Sequence, residues 1–572
     1  MGVKSWGSAT VRAIARPGSR GRQWLRLVPV PTLTVPLLLL LFLRLPSLFE
    51  PHWYTDEAGY ATTAWLTTHG KVLYLTVWNN KPPVLFWIYD VALAWLGPSE
   101  LALHLMSTLA GVIAMAGTWV LARSYLSPAR TRAAMLISAF LLGTPILSGE
   151  LALPECFLIA FTAWAMVCLL ASRRAREVPT AVLFAGVAGF LLGVACLIQQ
   201  TALADALAGM LVVLLAGRRG WLLGSVAAAA LVVTVGLALI TYVEAAGAHN
   251  VYFFLVRSYQ GYTASSLHPN LASLGPRVVA GLLLLVGVWW ARRWAAERLL
   301  PWVWLSALLL VYVLPNRPYV HFLLPAVPAA ALLLARATPI HRWRWPGRAT
   351  LDRIPLRGSA LISAVLWVGL LGSQLTGGSL FTVKLTAEYY PAFVGRITGV
   401  ISPVDLAAVY EQFPLAEGAA LGWVRRHRLE HPTAVVWSSD SWAYLLGGLT
   451  PVLPVPPIYM DQKWLGAKGL VDRVREARPV VILVTKDSHP SPAAIKPLLH
   501  RAYTEVEWAD GGQLWVRSDV AARTLTSATE PGKDAVPAGK SEAAAAAASL
   551  ARPRAQLRTL RVPNPVFQKG VR

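Results

Sequence analysis

The chain has 572 residues, of which 55% are hydrophobic and only 14% charged, with 24 tryptophans. That apolar excess is more than a soluble core of this length needs, and it places most of the chain in lipid. The formal net charge of +23 comes from short Lys and Arg clusters between apolar blocks, the pattern of membrane-flanking loops, which argues against a nucleic-acid partner.

Residues 1–27 form a basic segment with Lys4, Arg12, Arg16, Arg20, Arg22 and Arg26, followed by "LTVPLLLLLFL". No small-residue cleavage site follows that run, so it reads as an uncleaved first span with a cytoplasmic N-terminus. A span needs about 20 apolar residues, and the side rich in Lys and Arg faces the cytoplasm. These two rules predict eleven transmembrane helices, near 28–49, 101–123, 133–149, 155–171, 180–198, 202–216, 221–243, 277–291, 299–315, 320–336 and 359–377. The five loops that fall inside, such as "ARSYLSPARTR" and "SRRAREV", each carry at least two arginines.

The outer loops hold the acids, amides and aromatics instead. Asp56, Glu57, Lys81, Glu155, Arg257, Arg317, Tyr319 and His321 all fall at or just below the outer surface, at the ends of different spans. Ionisable groups near membrane depth face protein or water and pair with one another, so one polar cavity opening outward is expected.

The first outer loop, residues 50–100, contains "YTDEAGYATTAWLTTHG" and "NKPPVLFWIYDVALAWLG". Both read as short helices at the membrane surface, the first presenting Tyr60 and Trp65 at helical spacing, the second opened by a proline pair. A carboxylate at a helix start is accounted for by capping, but capping needs only one acid. The expectation is that Glu57 is the cap or its support and that Asp56 is a general base. Lys81 is then either a cation for a phosphate or a lysine snorkelling to the interface.

Further along, Glu155 opens the fourth span after Pro154, where it caps a helix, orients substrate, or shares a divalent cation with Asp56. Arg257, Arg317, Tyr319 and His321 are candidates for phosphate contact or for lining the cavity, and His321 can equally be a packed interfacial histidine. Pro315, Pro318, Pro325 and Pro328 interrupt this span, which is tolerated where backbone lines a cavity. Cys156, Cys168 and Cys196 lie in apolar blocks without metal-ligand spacing and read as helix fillers.

After the transmembrane domain, 28–380, the composition turns soluble. In residues 381–520, "TAVVWSS", "PVVILVTK" and "GGQLWVRS" read as strands, and "DSWAYLLGG", "GLVDRVREA" and "AAIKPLLHRAY" as helices. They predict a small α/β domain on the outer side. Residues 521–572, rich in Ala, Arg and Pro, read as a disordered tail.

The order of "YTDEAGYATTAWLTTHG", "NKPPVLFWIYDVALAWLG", "SELALHLMSTLAGV", "LALPECFLIAFTAWAM" and "RPYVHFLLPAVPAAALLLA" over residues 50–340 resembles the GT-C membrane glycosyltransferases, in particular the aminoarabinose transferase and protein O-mannosyltransferase group. The resemblance implies transfer of a sugar from a polyprenyl phosphate carrier to an acceptor hydroxyl of a glycan, lipid or protein, outside a bacterial plasma membrane. It implies that Asp56 is the catalytic acid of the first loop and that Lys81, Arg257 and Tyr319 meet the donor phosphate. Glu155 stands where the family has a second Asp. The rival class is a lipid-linked sugar transporter or flippase, which would show internal repeats and midplane charges. The chain has no second copy of "DEAGY" or "NKPP".

Overall fold

A computed structural model describes residues 31–215, 217–259, 299–313, 319–337, 380–410, 413–429, 431–438, 440–485, 491–509 and 512–527. The chain opens with helix α1 (Pro31–Arg44), continued by a 3-10 turn to Phe49. The first loop contributes α2 (Thr55–Thr68) and α3 (Pro83–Leu96). Then come α4 (Glu100–Tyr125), α5 (Pro128–Gly143), α6 (Pro154–Arg174), α7 (Val178–Ile198), α8 (Leu203–Leu214) and α9 (Arg218–Ala246). A short α10 (Ala248–Tyr252) runs into a π-helical turn at Phe253–Arg257, and α11 (Leu300–Val313) and α12 (Val327–Ala337) complete the apolar bundle.

Among the described residues five helices are long and apolar enough to cross a membrane: Thr32–Phe49, Glu100–Tyr125, Pro154–Arg174, Val178–Ile198 and Arg218–Ala246. Shorter apolar helices occupy Gln200–Leu214, Leu300–Tyr312 and Val320–Arg336. The spans expected at 277–291 and 359–377 lie outside the described residues. The span expected at 133–149 is cut short, because Pro145 pushes Thr144 into an extended conformation (φ −110°, ψ 156°) and Ser148 turns left-handed at φ +55°. The break frees residues 144–153 to form a loop under the candidate site.

Helix ends follow their sequence signals. The Ser99 hydroxyl accepts the Ala102 N–H at 3.3 Å to start α4. Arg173 and Arg174 lie in the last turn of α6, where positive charge suits the helix dipole. Gly189 has no room for a side chain, since a β-carbon there would collide with the Ala227 carbonyl of α9; its absence lets α7 and α9 pack backbone to backbone.

The carboxy-terminal unit holds α13 (Leu380–Ile397), α14 (Pro403–Tyr410), α15 (Phe413–Arg426), α16 (Trp442–Gly447), α17 (Ile458–Ala477), α18 (Lys496–Ala502) and α19 (Ser518–Ser527). Its sheet has strands β1 (Thr433–Trp437), β2 (Thr450–Pro451), β3 (Val481–Thr485), β4 (Tyr503–Ala509) and β5 (Gly512–Arg517) in the order β2-β1-β3-β5-β4. β1 is parallel to β2 and β3, whereas β5 is antiparallel to β3 and β4. β1 and β3 are buried along nearly their whole length, which explains why both are continuous apolar runs without alternation. The sequence reading missed β4, whose "YTEVEWA" carries two glutamates. It also began the tail too early: α19 continues to Ser527 and buries Ala521 against the sheet.

This unit packs directly on the first loop. Thr62 donates to the Ser441 carbonyl at 3.0 Å, the Trp78 N–H donates to the Pro454 carbonyl at 2.8 Å, and Nε2 of His52 lies 3.2 Å from Oε2 of Glu417.

Candidate functional site

The expectation for the two adjacent acids is corrected by the structure. Tyr54, not an acid, occupies the cap position of α2, and no side chain caps the helix. Successive residues of an α-helix point about 100° apart, so Asp56 and Glu57 cannot share a face. Glu57 turns inward and is fully buried. It accepts the Ala152 backbone N–H and meets Nε2 of His104 at 3.2 Å. Asp56 stays partly accessible.

Lys81 lies in the segment before α3, within electrostatic reach of Asp56. Its backbone is held from several sides: the Tyr74 hydroxyl donates to the Lys81 carbonyl at 2.7 Å and Asn79 Oδ1 accepts the Lys81 N–H at 3.1 Å. Gln200 holds the neighbouring Asn80 carbonyl at 2.9 Å. Pro82, extended at φ −68° and ψ 161°, leads into α3. Tyr74 adopts a left-handed φ of +68° while fully buried, a conformation that costs a tyrosine on the order of 1–3 kcal/mol and persists only where surroundings impose it. The ammonium lies 5.9 Å from the centroid of the Tyr60 ring, within cation–π range.

Pro154 starts α6 and sets Glu155 in its first turn, buried. Glu155 does not cap; it accepts a 2.8 Å hydrogen bond from Gln199 at the end of α7. His321, buried in the 3-10 segment Val320–Ala326, stacks flat on Tyr319 with centroids 5.4 Å apart and planes at 6°.

Asp56, Lys81, Glu155 and His321 are close enough to act on one another electrostatically. Burial pushes the Asp56 carboxyl up, and the positive charge of Lys81, followed by His321, opposes that rise. For Lys81, burial works against the charge, but Tyr259 and the carboxylates of Glu155 and Asp56 outweigh it and hold the ammonium above its ordinary range. A firmly charged lysine therefore lies beside a carboxylate that takes up a proton more readily than a free aspartate.

Not every expected residue joins this group. Arg257 sits exposed in the π-helical turn, and among the described residues it is joined to none of the site carboxylates. Tyr259, two residues on, takes the place next to Lys81, where it acts on the ammonium electrostatically. Tyr319 is 44% exposed at the rim. Arg317 lies outside the described residues. Tyr74, Gln199, Gln200, His104 and Tyr259 are the site residues that sequence reasoning missed. The signal for His104 was present, a histidine inside an apolar span.

For a divalent cation, Asp56 and Glu155 are the nearby carboxylates. Among the described residues no three His, Cys, Asp or Glu side chains gather in a way that could hold a metal. The charge that both carboxylates feel is the Lys81 ammonium.

An apolar helical bundle with a first loop that folds two helices over its end gives this chain a fold similar to that of the solved structures of ArnT. A family model described as dolichyl-phosphate-mannose-protein mannosyltransferase matches residues 80–243. Among solved structures, ArnT from Cupriavidus metallidurans bound to undecaprenyl phosphate is 17% identical, with a TM-score of 0.55 over 85% of this chain and 97% of that one. The same protein in the apo state is 16% identical, with a TM-score of 0.51 over 87% of this chain and 98% of that one. The Archaeoglobus fulgidus oligosaccharyltransferase in the apo form is 13% identical, with a TM-score of 0.48 over 80% of this chain and 69% of that one. No curated protein matches the chain.

Proposed function

We propose that the protein is a glycosyltransferase that moves a sugar from a polyprenyl phosphate-linked donor to an acceptor hydroxyl on the extracytoplasmic face of the membrane. The observation that carries this reading is that Asp56 and Lys81, both on the first loop, act on each other electrostatically, with Glu155 and His321 close by. A general base and a fixed cation are what an inverting displacement at a glycosyl phosphate needs. The likeness of fold to ArnT, whose structure holds undecaprenyl phosphate, supports a lipid phosphate as the leaving group.

In this mechanism the acceptor hydroxyl attacks the anomeric carbon in line while Asp56 takes its proton. The new C–O bond forms as the bond from the anomeric carbon to the phosphate oxygen breaks, and the electron pair leaves with the polyprenyl phosphate. Lys81, steadied by Tyr259 and by the face of Tyr60, neutralises the departing phosphate. Glu155, fixed by Gln199, lies near enough to Lys81 to hold it or to accept a hydrogen bond from the sugar. One displacement inverts the anomeric centre, by the geometry that separates inverting from retaining glycosidases. No diphosphate leaves, so the lysine alone can meet the charge.

In this reading the carboxy-terminal α/β unit lies on the extracytoplasmic side. It roofs the first loop through Ser441 and Pro454, where it can position an acceptor. The test is purified protein with a polyprenyl phosphate sugar, followed by release of polyprenyl phosphate with and without acceptor. Acceptor-dependent release supports the reading. Movement of the lipid across a bilayer without bond cleavage overturns it in favour of a flippase.

A further inference from the structure

We infer that His104 is a positioning residue for both acids of the site, acting through Glu57; this rests on the glycosyl-transfer reading above. His104 lies in α4 and is wholly buried. Its Nδ1 donates to the Ser47 carbonyl at 2.6 Å, and its Nε2 faces both carboxylate oxygens of Glu57, at 3.2 and 3.4 Å. Both ring nitrogens are thus committed, so the ring has one orientation.

Glu57 extends the arrangement in two directions. On one side it is the residue after Asp56, so fixing its side chain fixes the rotation of the first turn of α2 and with it the direction in which Asp56 points. On the other side it accepts the N–H of Ala152, three residues before Glu155. The short segment 151–153 has no helix or strand to hold it, and three side chains do so instead: Ser107 donates to the Leu151 carbonyl at 2.8 Å, Glu57 takes the Ala152 N–H, and Tyr89 donates to the Ala152 carbonyl at 2.5 Å. Arg44 in turn steadies Ser107 at 2.8 Å.

The relay Ser47–His104–Glu57–Ala152 therefore links the end of α1, α4, α2 and the start of α6, and sets the spacing between Asp56 and Glu155. Its residues are shut off from solvent, so it does not meet substrate itself. A displacement of about 1 Å of a reacting group can cost on the order of 10²-fold in rate, so loosening the relay should appear in turnover before it appears in binding.

The experiment compares His104→Leu, His104→Gln, Glu57→Gln and the double variant His104→Leu/Glu57→Gln, purified in detergent, for kcat, donor KM and thermal unfolding, with Asp56→Asn alongside. The expected result is a kcat loss on the order of 10²-fold for His104→Leu with donor KM within about twofold. His104→Gln, which keeps a donor toward Glu57, should recover most of that loss. The double variant should be little worse than either single one, because both break the same relay. Wild-type kcat in His104→Leu, additive losses, or a loss confined to KM would each overturn the inference. If His104→Leu does not fold, Glu57→Gln and His104→Gln decide by the same split. Should Asp56→Asn turn over at the wild-type rate, the transfer reading itself fails; should Asp56→Asn be inactive while His104→Leu is normal, only this inference fails.

Discussion

Asp56 and Glu57, adjacent in sequence, take different partners from one helix turn: Glu57 is sealed against His104 and the Ala152 N–H, while Asp56 lies within electrostatic reach of Lys81. The separation gives each acid its own test. Asp56→Asn removes the proposed base without changing shape, and kcat should fall by roughly 10²–10⁴-fold.

Folding responds to the same substitution in the other direction. Because burial raises the Asp56 carboxyl above its ordinary 3.8, its ionised form costs stability. The cost enters as pH rises past that ordinary value and is complete above the raised folded value. Asp56→Asn should therefore unfold at an equal or higher temperature than wild type at pH 7, measured in the same detergent. A marked drop would show the carboxylate to be a structural partner instead.

Lys81 controls where the base titrates. Its charge lowers Asp56, so Lys81→Met should move the acid limb of the kcat/KM profile to higher pH, in addition to a rate loss of roughly 10²–10³-fold from the missing phosphate contact. An acid limb that stays in place in Lys81→Met would separate the two residues.

Gln199→Leu leaves the buried Glu155 without its 2.8 Å donor. A hydrogen bond to a charged group contributes about 1.5–3 kcal/mol, so activity should fall roughly 10–100-fold, while Gln199→Glu should be worse still by adding a second acid. Steady-state rates of the two variants, compared with Glu155→Gln, give the check.

At the junction between the α/β unit and the first loop, burial raises Glu417 to about 8, with His52 and Asp440 facing it. It is neutral near pH 7, and the stability it lends is lost as pH rises from the ordinary 4.5 through 8. Thermal unfolding of the wild type should decline over that range, and Glu417→Gln should flatten the decline.

The membrane character, the positions of most apolar helices, β1, β3 and β5, and the candidates Asp56, Lys81, Glu155 and His321 were legible in the sequence. Each rests on a local property: apolar run length, proline at a helix start, or charge where charge is costly. Nothing local distinguishes Tyr259 from Arg257, because which of them meets Lys81 depends on how their segment packs against the first loop. Nor does anything local show that Glu57 spends its carboxylate on His104 and Ala152 rather than on the end of its own helix. A side chain's chemistry is fixed by its sequence, but its partners are fixed by packing between segments 47 and 95 residues apart, and only the folded chain makes that choice.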